Sequence, residues 1–288
     1  MIENDDKGNR VFDLGFTNNS QTLIAAYGDG NIKHWNISNL NSETREIIKS
    51  KKAEFTVSTL GISENYDLPL VVVGGRFNKL GFWDWNNKND SEIEIYHLPY
   101  YKKDLNSSRL INGQQDYITS LTIAHKSDRL ITADNQGNLK LWDLKNIRKC
   151  IKQSKISQND NDVEDNDNKT SKLNYISLDC PDSLLDEELS EKSQTFPSIR
   201  SIAITKNESY LASAGDDGDV RIWKVKGNEL SCVHKQSTGQ RLNTVDIKLR
   251  EIKNKTANEL LIVTGDDKNR VMLYRKKASE IKDARNCK

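Results

Sequence analysis

Neither sign of charge prevails in this 288-residue chain: Lys and Arg number 43, Asp and Glu 42, for a formal net charge of +1. A nucleic-acid binder carries a basic excess or basic runs to neutralise phosphates. Neither is present, so nucleic acid is not expected as a partner. Long hydrophobic runs are also missing, since no stretch approaches the roughly 20 apolar residues of a membrane-spanning helix. The opening residues Met1-Ile2-Glu3-Asn4-Asp5-Asp6 are acidic and lack the apolar core of a signal peptide. We expect no membrane association and a cytoplasmic location. Hydrophobic residues are only 35% of the chain, which implies polar loops around a modest core.

Cysteine is scarce and scattered. Cys150, Cys180, Cys232 and Cys287 form no CxxC pair, and zinc or redox motifs need close ligands. They are expected to be free thiols in a reducing compartment. No GxSxG, HExxH, Walker loop or GxGxxG occurs. The four histidines, His34, His97, His125 and His234, have no cysteine, serine or carboxylate pair at a meaningful spacing. The chain is expected to be no enzyme and to hold no cofactor or metal. Asp216-Asp217-Gly218-Asp219 and Asp160 to Asp165 are rich in oxygen ligands but lack calcium-loop spacing, and they read as a hairpin turn and a solvated linker.

A repeat is present instead. Its first part is φ-x-x-φ-x-φ, where φ is apolar: Val11-Leu14-Phe16, Val57-Leu60-Ile62, Ile118-Leu121-Ile123, Ile199-Ile202-Ile204 and Leu242-Val245-Ile247. In a regular strand the last two would share a face and the first would lie opposite. Such a strand is expected to be buried on both sides. A short apolar run follows in each unit: Leu23 to Ala26, Leu70 to Val73, Leu130 to Ala133, Leu211 to Ala214 and Leu260 to Val263. Runs this short, bounded by polar turns, read as strands. Asp29-Gly30, Gln136-Gly137 and Asp217-Gly218 then supply residues that tolerate the positive φ of a tight hairpin. Third strands end in Trp35, Trp83, Trp142, Trp223 and Tyr274. In the first, third and fourth units the aromatic residue stands 24 positions after the first φ. Weaker fourth strands are expected near Ile47-Ile48, Ile93 to Tyr96 and Leu230 to Val233.

Leu130 to Asp143 and Leu211 to Trp223 resemble the ends of WD repeats, and Trp83-Asp84 and Trp142-Asp143 carry the dipeptide itself. The resemblance runs from about Val11 to Arg275. It implies an all-β propeller with about five recognisable four-stranded blades, near residues 10–50, 56–102, 117–157, 198–237 and 241–276. A polar, partly disordered insertion is expected at 157–196, within which Leu173 to Leu178 could form an outer strand. The family's propellers most often have seven blades. The termini, Met1 to Asn9 and Lys276 to Lys288, are poor strands. An incomplete or open ring is therefore expected, with missing blades supplied by another chain or a longer parent protein. The family's His–Asp–Ser/Thr–Trp hydrogen-bond network is expected to be incomplete in every blade, because no histidine precedes a first strand. Only Asp29 and Asp217 hold the turn aspartate six before the tryptophan.

By the same resemblance, the function is a non-catalytic protein-interaction scaffold that binds partner proteins or peptides through loops on one face. Contact candidates are Arg76, Phe77, Gln115, Asp116, Tyr117 and Arg241 in those loops. Trp85, just past Trp83-Asp84 in a polar turn, is a candidate anchor. Two alternatives remain open: the sensor part of a larger bacterial-type signalling assembly, and a propeller enzyme with a central pocket.

Overall fold

The computed structural model describes residues 10–17, 21–38, 47–53, 55–64, 68–77, 79–85, 95–99, 117–161, 175–177, 184–188, 197–251 and 258–281. Strands β1 (Val11–Phe16), β2 (Thr22–Tyr27), β3 (Asn31–Asn36) and β4 (Ile47–Lys52) form the first antiparallel sheet in that order. The second sheet holds β5 (Val57–Ser63), β6 (Leu70–Gly75), β7 (Lys79–Asp84) and β8 (Ile95–Pro99). The third begins with β9 (Ile118–Ala124), β10 (Arg129–Asp134) and β11 (Leu139–Asp143). Helix α1 (Leu144–Asn161) follows directly. Next, β12 (Tyr175–Ser177) pairs in parallel with β8, making the second sheet five-stranded, and β13 (Leu184–Glu188) pairs with β11 as the outer strand of the third. The fourth sheet is β14 (Ile199–Ile204), β15 (Tyr210–Gly215), β16 (Asp219–Lys226) and β17 (Glu229–Ser237). The fifth has three strands, β18 (Leu242–Arg250), β19 (Glu259–Asp266) and β20 (Val271–Lys277). Two of the five sheets thus depart from the expected four strands.

The chain divides into two compact units, Met1–Ile118 with Leu144–Ser183, and Thr119–Asp143 with Leu184–Lys288. Residues 157–161, expected in the polar insertion, continue α1 instead. The helix stands where a fourth strand would follow Trp142. Its apolar residues Leu144, Ile147 and Ile151 recur at helical spacing and are buried. Arg148 is buried beside them and donates through Nε to the Leu68 carbonyl (2.8 Å) and through Nη2 to Ser63 Oγ (2.5 Å). A buried guanidinium is tolerable only with such partners, so this clasp ties the helix to the second sheet of its own unit. Cys150 on α1 and Cys232 on β17 are each in a disulfide, and no cysteine among the described residues is free. This corrects the free-thiol expectation for these two; Cys180 and Cys287 lie outside the described residues. Spacing in sequence limits chelate and CxxC chemistry, but a disulfide needs only proximity in the fold.

The hairpin expectation holds. Gly30, Gly137 and Gly218 have φ of 91°, 83° and 73°. A side chain at Gly218 would meet the Gln240 carbonyl oxygen at 2.6 Å.

The expectation for the first strands does not hold. Pairing shifts register between Val11 and Asp13, Val57 and Thr59, Ile199 and Ser201, and Leu242 and Thr244. Each shift is a β-bulge, with one extra residue opposite the neighbouring strand. The bulge brings the first, fourth and sixth residues of φ-x-x-φ-x-φ onto one face. Val57, Leu60, Leu242, Val245 and Ile247 are accordingly all buried, while Asn243, Thr244 and Asp246 between the last three are exposed. The φ rows of the second, fourth and fifth sheets pack back onto the sheet before them in the same unit. A Cβ on Gly15 would lie 2.9 Å from Ile62 Cδ1.

The third residue of the bulged strand points the other way and joins the next sheet. Asp13 Oδ2 accepts from Leu60 N (2.7 Å), Ser120 Oγ from Ile202 N (3.2 Å), and Ser201 Oγ from Val245 N (3.1 Å). These bonds repeat at one register and satisfy amides that would otherwise be buried between sheets. Asp13 also accepts from Thr59 Oγ1 (3.2 Å) and Leu14 N (2.9 Å). Burial nonetheless pushes its carboxyl above the ordinary value, outweighing those donors.

Two sheets keep half of the expected network. Trp142 Nε1 donates to Thr132 Oγ1 and Trp223 Nε1 to Ser213 Oγ, both at 2.9 Å. The equivalent residue in the second sheet is Val73, and the buried Trp83 Nε1 has no hydrogen-bond partner among the described residues.

Substituting Ser201→Ala should cost about 1–2 kcal/mol by stranding the Val245 amide, read as a lower denaturant midpoint at unchanged slope. For Asp13 the raised carboxyl pKa means that its favourable term is full below the unfolded value and is lost as pH rises through the folded one. Asp13→Asn, which keeps an acceptor without the buried charge, should therefore stabilise the protein at pH 7. The gain should vanish below the ordinary carboxyl value of 3.8; a gain that persists there would refute the assignment. Val73→Thr should give Trp83 the hydroxyl that Trp142 and Trp223 have and stabilise by about 1 kcal/mol, whereas Ser213→Ala should destabilise by about 1–3 kcal/mol.

Candidate functional site

Arg76 and Phe77 lie in a turn between a second and a third strand, and Tyr117 and Arg241 immediately precede first strands. Aspartates brace several of the turns between second and third strands. Asp134 is fully buried and accepts from Gln136 N (2.9 Å), Asn138 N (2.9 Å) and Asn138 Nδ2 (2.8 Å). Asp266 accepts in the same pattern from Lys268 N (2.9 Å), Arg270 N (2.9 Å) and Arg270 Nε (2.7 Å). Burial works against its charge, but the Arg270 and Lys268 donors outweigh it and hold the carboxyl below its usual value. Both stand eight residues before the aromatic that ends the third strand. The six-residue offset that singled out Asp29 and Asp217 missed them. Asp29 itself accepts from Asn31 N (3.0 Å) and Asp217 from Asp219 N (3.0 Å). The signal that could have found the other pair was the Asp-Asn and Asp-Asp start of each turn.

In the first unit three candidates meet. Arg76 forms an isolated antiparallel bridge with Tyr117, and its amide donates to the Thr56 carbonyl (3.0 Å). Phe77 follows with φ of 63° and is 50% exposed; Tyr117 is 37% exposed. A phenylalanine in the left-handed region is strained, and such strain concentrates at sites that need a fixed, exposed side chain. The bridge and the Thr56 bond hold both aromatic residues on anchored backbone. Gln115 and Asp116 lie outside the described residues.

Trp85 is placed differently from an exposed anchor. It is half-buried, packed on the core shared by the first two sheets, with its ring 5.7 Å from His34 at an interplanar angle of 87°. His34 also meets Trp83 edge-on at 6.3 Å. Edge-to-face geometry at these distances is favourable for aromatic rings.

In the second unit Arg241 pairs through Nε with Asp216 Oδ1 (3.2 Å), and Arg200 reaches the same carboxylate. Beside them Arg221 pairs with Asp217 (2.6 Å) and Asp219 (3.1 Å), and Lys235 with Asp219 (2.8 Å). Burial opposes ionisation of Asp219, but Lys235 and Arg221 outweigh it and keep its carboxyl below the ordinary range. These aspartates thus brace cations of their own chain. His234 nearby is held below its usual value by burial and by Lys276.

Three stretches, residues 4–36, 105–143 and 190–224, match the family described as "WD domain, G-beta repeat". A search of curated proteins found no match. Among solved structures the chain is similar to one in the Chaetomium thermophilum Polycomb Repressive Complex 2 bound to GSK126. That likeness has 14% identity and a TM-score of 0.53, covering 91% of this chain and 53% of that one. It is also similar to a chain of a humanized mutant of that complex bound to GSK343, at 14% identity and TM-score 0.52, covering 90% and 52%. At that identity the likeness concerns fold alone, and this chain spans about half the length of those it matches. Repeats of this type serve as protein-interaction scaffolds. The three matched stretches are similar to WD repeats, and the aromatic-ended third strands and recurring small antiparallel sheets accord with that likeness.

Proposed function

We propose that the chain is a non-catalytic scaffold that binds partner proteins or peptides through the loops carrying Arg76, Phe77 and Tyr117, with Gln115 and Asp116 in the same connection and Arg241 in the corresponding loop of the second unit. The observation that carries this reading is Phe77: an exposed aromatic residue in a backbone conformation costly to it, beside the half-exposed Tyr117. Rigid aromatic anchors bury large area at small entropic cost, which is why they dominate interfaces. Arg76 adds a cation suited to carboxylates or backbone carbonyls. Trp85 contributes only the part of its ring that its core contacts leave open.

Further blades are the second part of the proposal. The φ row of β1, whose counterparts in the second, fourth and fifth sheets pack on a preceding sheet, is exposed: Val11, Leu14 and Phe16, with the neighbouring Phe12, are 48–61% accessible. An apolar row of this size marks an interaction surface, and a blade from another chain or a longer parent protein would cover it. The cytoplasmic location read from the sequence loses the support of its thiols, since disulfides persist mainly in oxidising compartments.

Phe77→Gly is the discriminating variant. It removes the anchor and also the cost of φ 63°, so Tm should stay level or rise while crosslinked partners from the native source are lost; retention of every partner would end this reading. Light scattering during size exclusion tests the second part. Self-association that Leu14→Lys with Phe16→Lys abolishes is expected, and a parent chain that stays monomeric, indistinguishable from the variant, would sink it.

A further inference from the structure

In four sheets the third strand is covered on its outer side: β3 by β4, β7 by β8, β11 by β13 and β16 by β17. Among the described residues nothing pairs with the outer side of β20. An uncovered strand of seven residues without proline is a template for another strand.

The chemistry of this sheet is divided along its length. Pairing places Val271 beside Gly265 and Thr244, and Leu273 beside Val263 and Asp246. Further along, Arg275 lies beside Leu261 and Lys248, and Lys277 beside Glu259 and Arg250. Val271 is 78% and Leu273 60% exposed, whereas Met272 and Tyr274, on the opposite face, pack against the core. One end of the outward face is therefore apolar and the other cationic, tempered by Glu259 and by the Lys277–Glu280 ion pair (3.1 Å).

This face is unsuited to a further blade. Where a sheet receives the next one, the fifth residue of its first strand is small and uncharged, Gly15 in the first sheet and Ala203 in the fourth. In the fifth sheet that residue is Asp246, followed on the same face by Lys248 and Arg250. A second copy also fits poorly. Parallel pairing of two β20 strands sets cation against cation, and antiparallel pairing sets Arg275 and Lys277 against Val271 and Leu273.

We propose that the edge of β20 takes up an extended segment of a partner protein by strand addition. The segment is apolar at alternate positions beside Val271 and Leu273 and acidic beside Arg275 and Lys277. Backbone pairing supplies affinity, while the two-zone face sets register and direction.

The test uses the full chain and a labelled synthetic peptide of about ten residues, alternating valine and threonine in one half and glutamate and threonine in the other. A matched peptide carries lysine for glutamate. Fluorescence anisotropy should show saturable binding of the acidic peptide only, weakening about tenfold from low to high salt. Arg275→Glu with Lys277→Glu, and separately Leu273→Ser, should each lower affinity about tenfold or more at unchanged Tm, these side chains being exposed. Phe77→Gly should leave this binding intact, which separates it from the loop site. Exchange of the β20 amides that do not bond to β19 should slow only when the peptide is present. Absence of saturable binding, equal binding by the lysine peptide or the variants, or those outward amides being already protected in the free chain would each overturn the proposal. The last would mean that a segment of the chain itself covers the edge.

Discussion

The bulge at the second residue of four of the five first strands, β1, β5, β14 and β18, sets the rest of the architecture. A regular strand would throw the first φ residue of φ-x-x-φ-x-φ to the far side. One extra residue returns it, so that three apolar side chains form a row against the preceding sheet. The same shift turns the third residue toward the following sheet, where Asp13, Ser120 and Ser201 each accept a backbone amide. Packing and hydrogen bonding between sheets are thus two consequences of one local irregularity. Sheet follows sheet in fixed register because an amide misplaced by one residue would find no acceptor.

Much of this was legible in the amino acids. Apolar runs marked second strands, glycines marked turns with positive φ, and Trp35, Trp83, Trp142, Trp223 and Tyr274 marked the ends of third strands. All are local signals, in which a residue's own preference decides. What was not legible depends on distant partners. The bulge is invisible until a neighbouring strand supplies the register. Asp134 and Asp266 resemble any turn aspartate until their three donors each are seen. Helix α1 replaces a strand after Trp142 because Arg148 finds the Leu68 carbonyl and Ser63 80 and 85 residues away in sequence. The outer strand of the third sheet, β13, arrives only after that helix. The disulfide-bonded Cys150 and Cys232 follow the same logic, since proximity in the fold rather than spacing in the chain decides their state.

The loop candidates divide by how the backbone holds them. Arg76, Phe77 and Tyr117 sit where two connections are pinned by a bridge and by the Thr56 carbonyl, and the strain at Phe77 is sustained by those contacts. Arg241 is engaged already, sharing Asp216 with Arg200. A partner recruiting Arg241 must compete with that carboxylate, whereas one engaging Phe77 displaces only water. Hydrophobic capture at Phe77 and electrostatic selection at Arg241 therefore carry different salt dependences.

The apolar row of β1 and the outward face of the fifth sheet also call for different covers. Val11, Phe12, Leu14 and Phe16 are uncharged, and any sheet offering a small, neutral row like that of Gly15 or Ala203 can lie flat upon them. Asp246, Lys248 and Arg250 forbid such flat apolar contact, because burying them without partners costs far more than the flanking Val263 and Leu273 return. A cover for that face must bring charges of its own, which restricts it more sharply than hydrophobicity could. Under the proposed reading, selectivity among binding partners comes from the polar half of the fifth sheet, while the apolar row of β1 supplies adhesion with little discrimination.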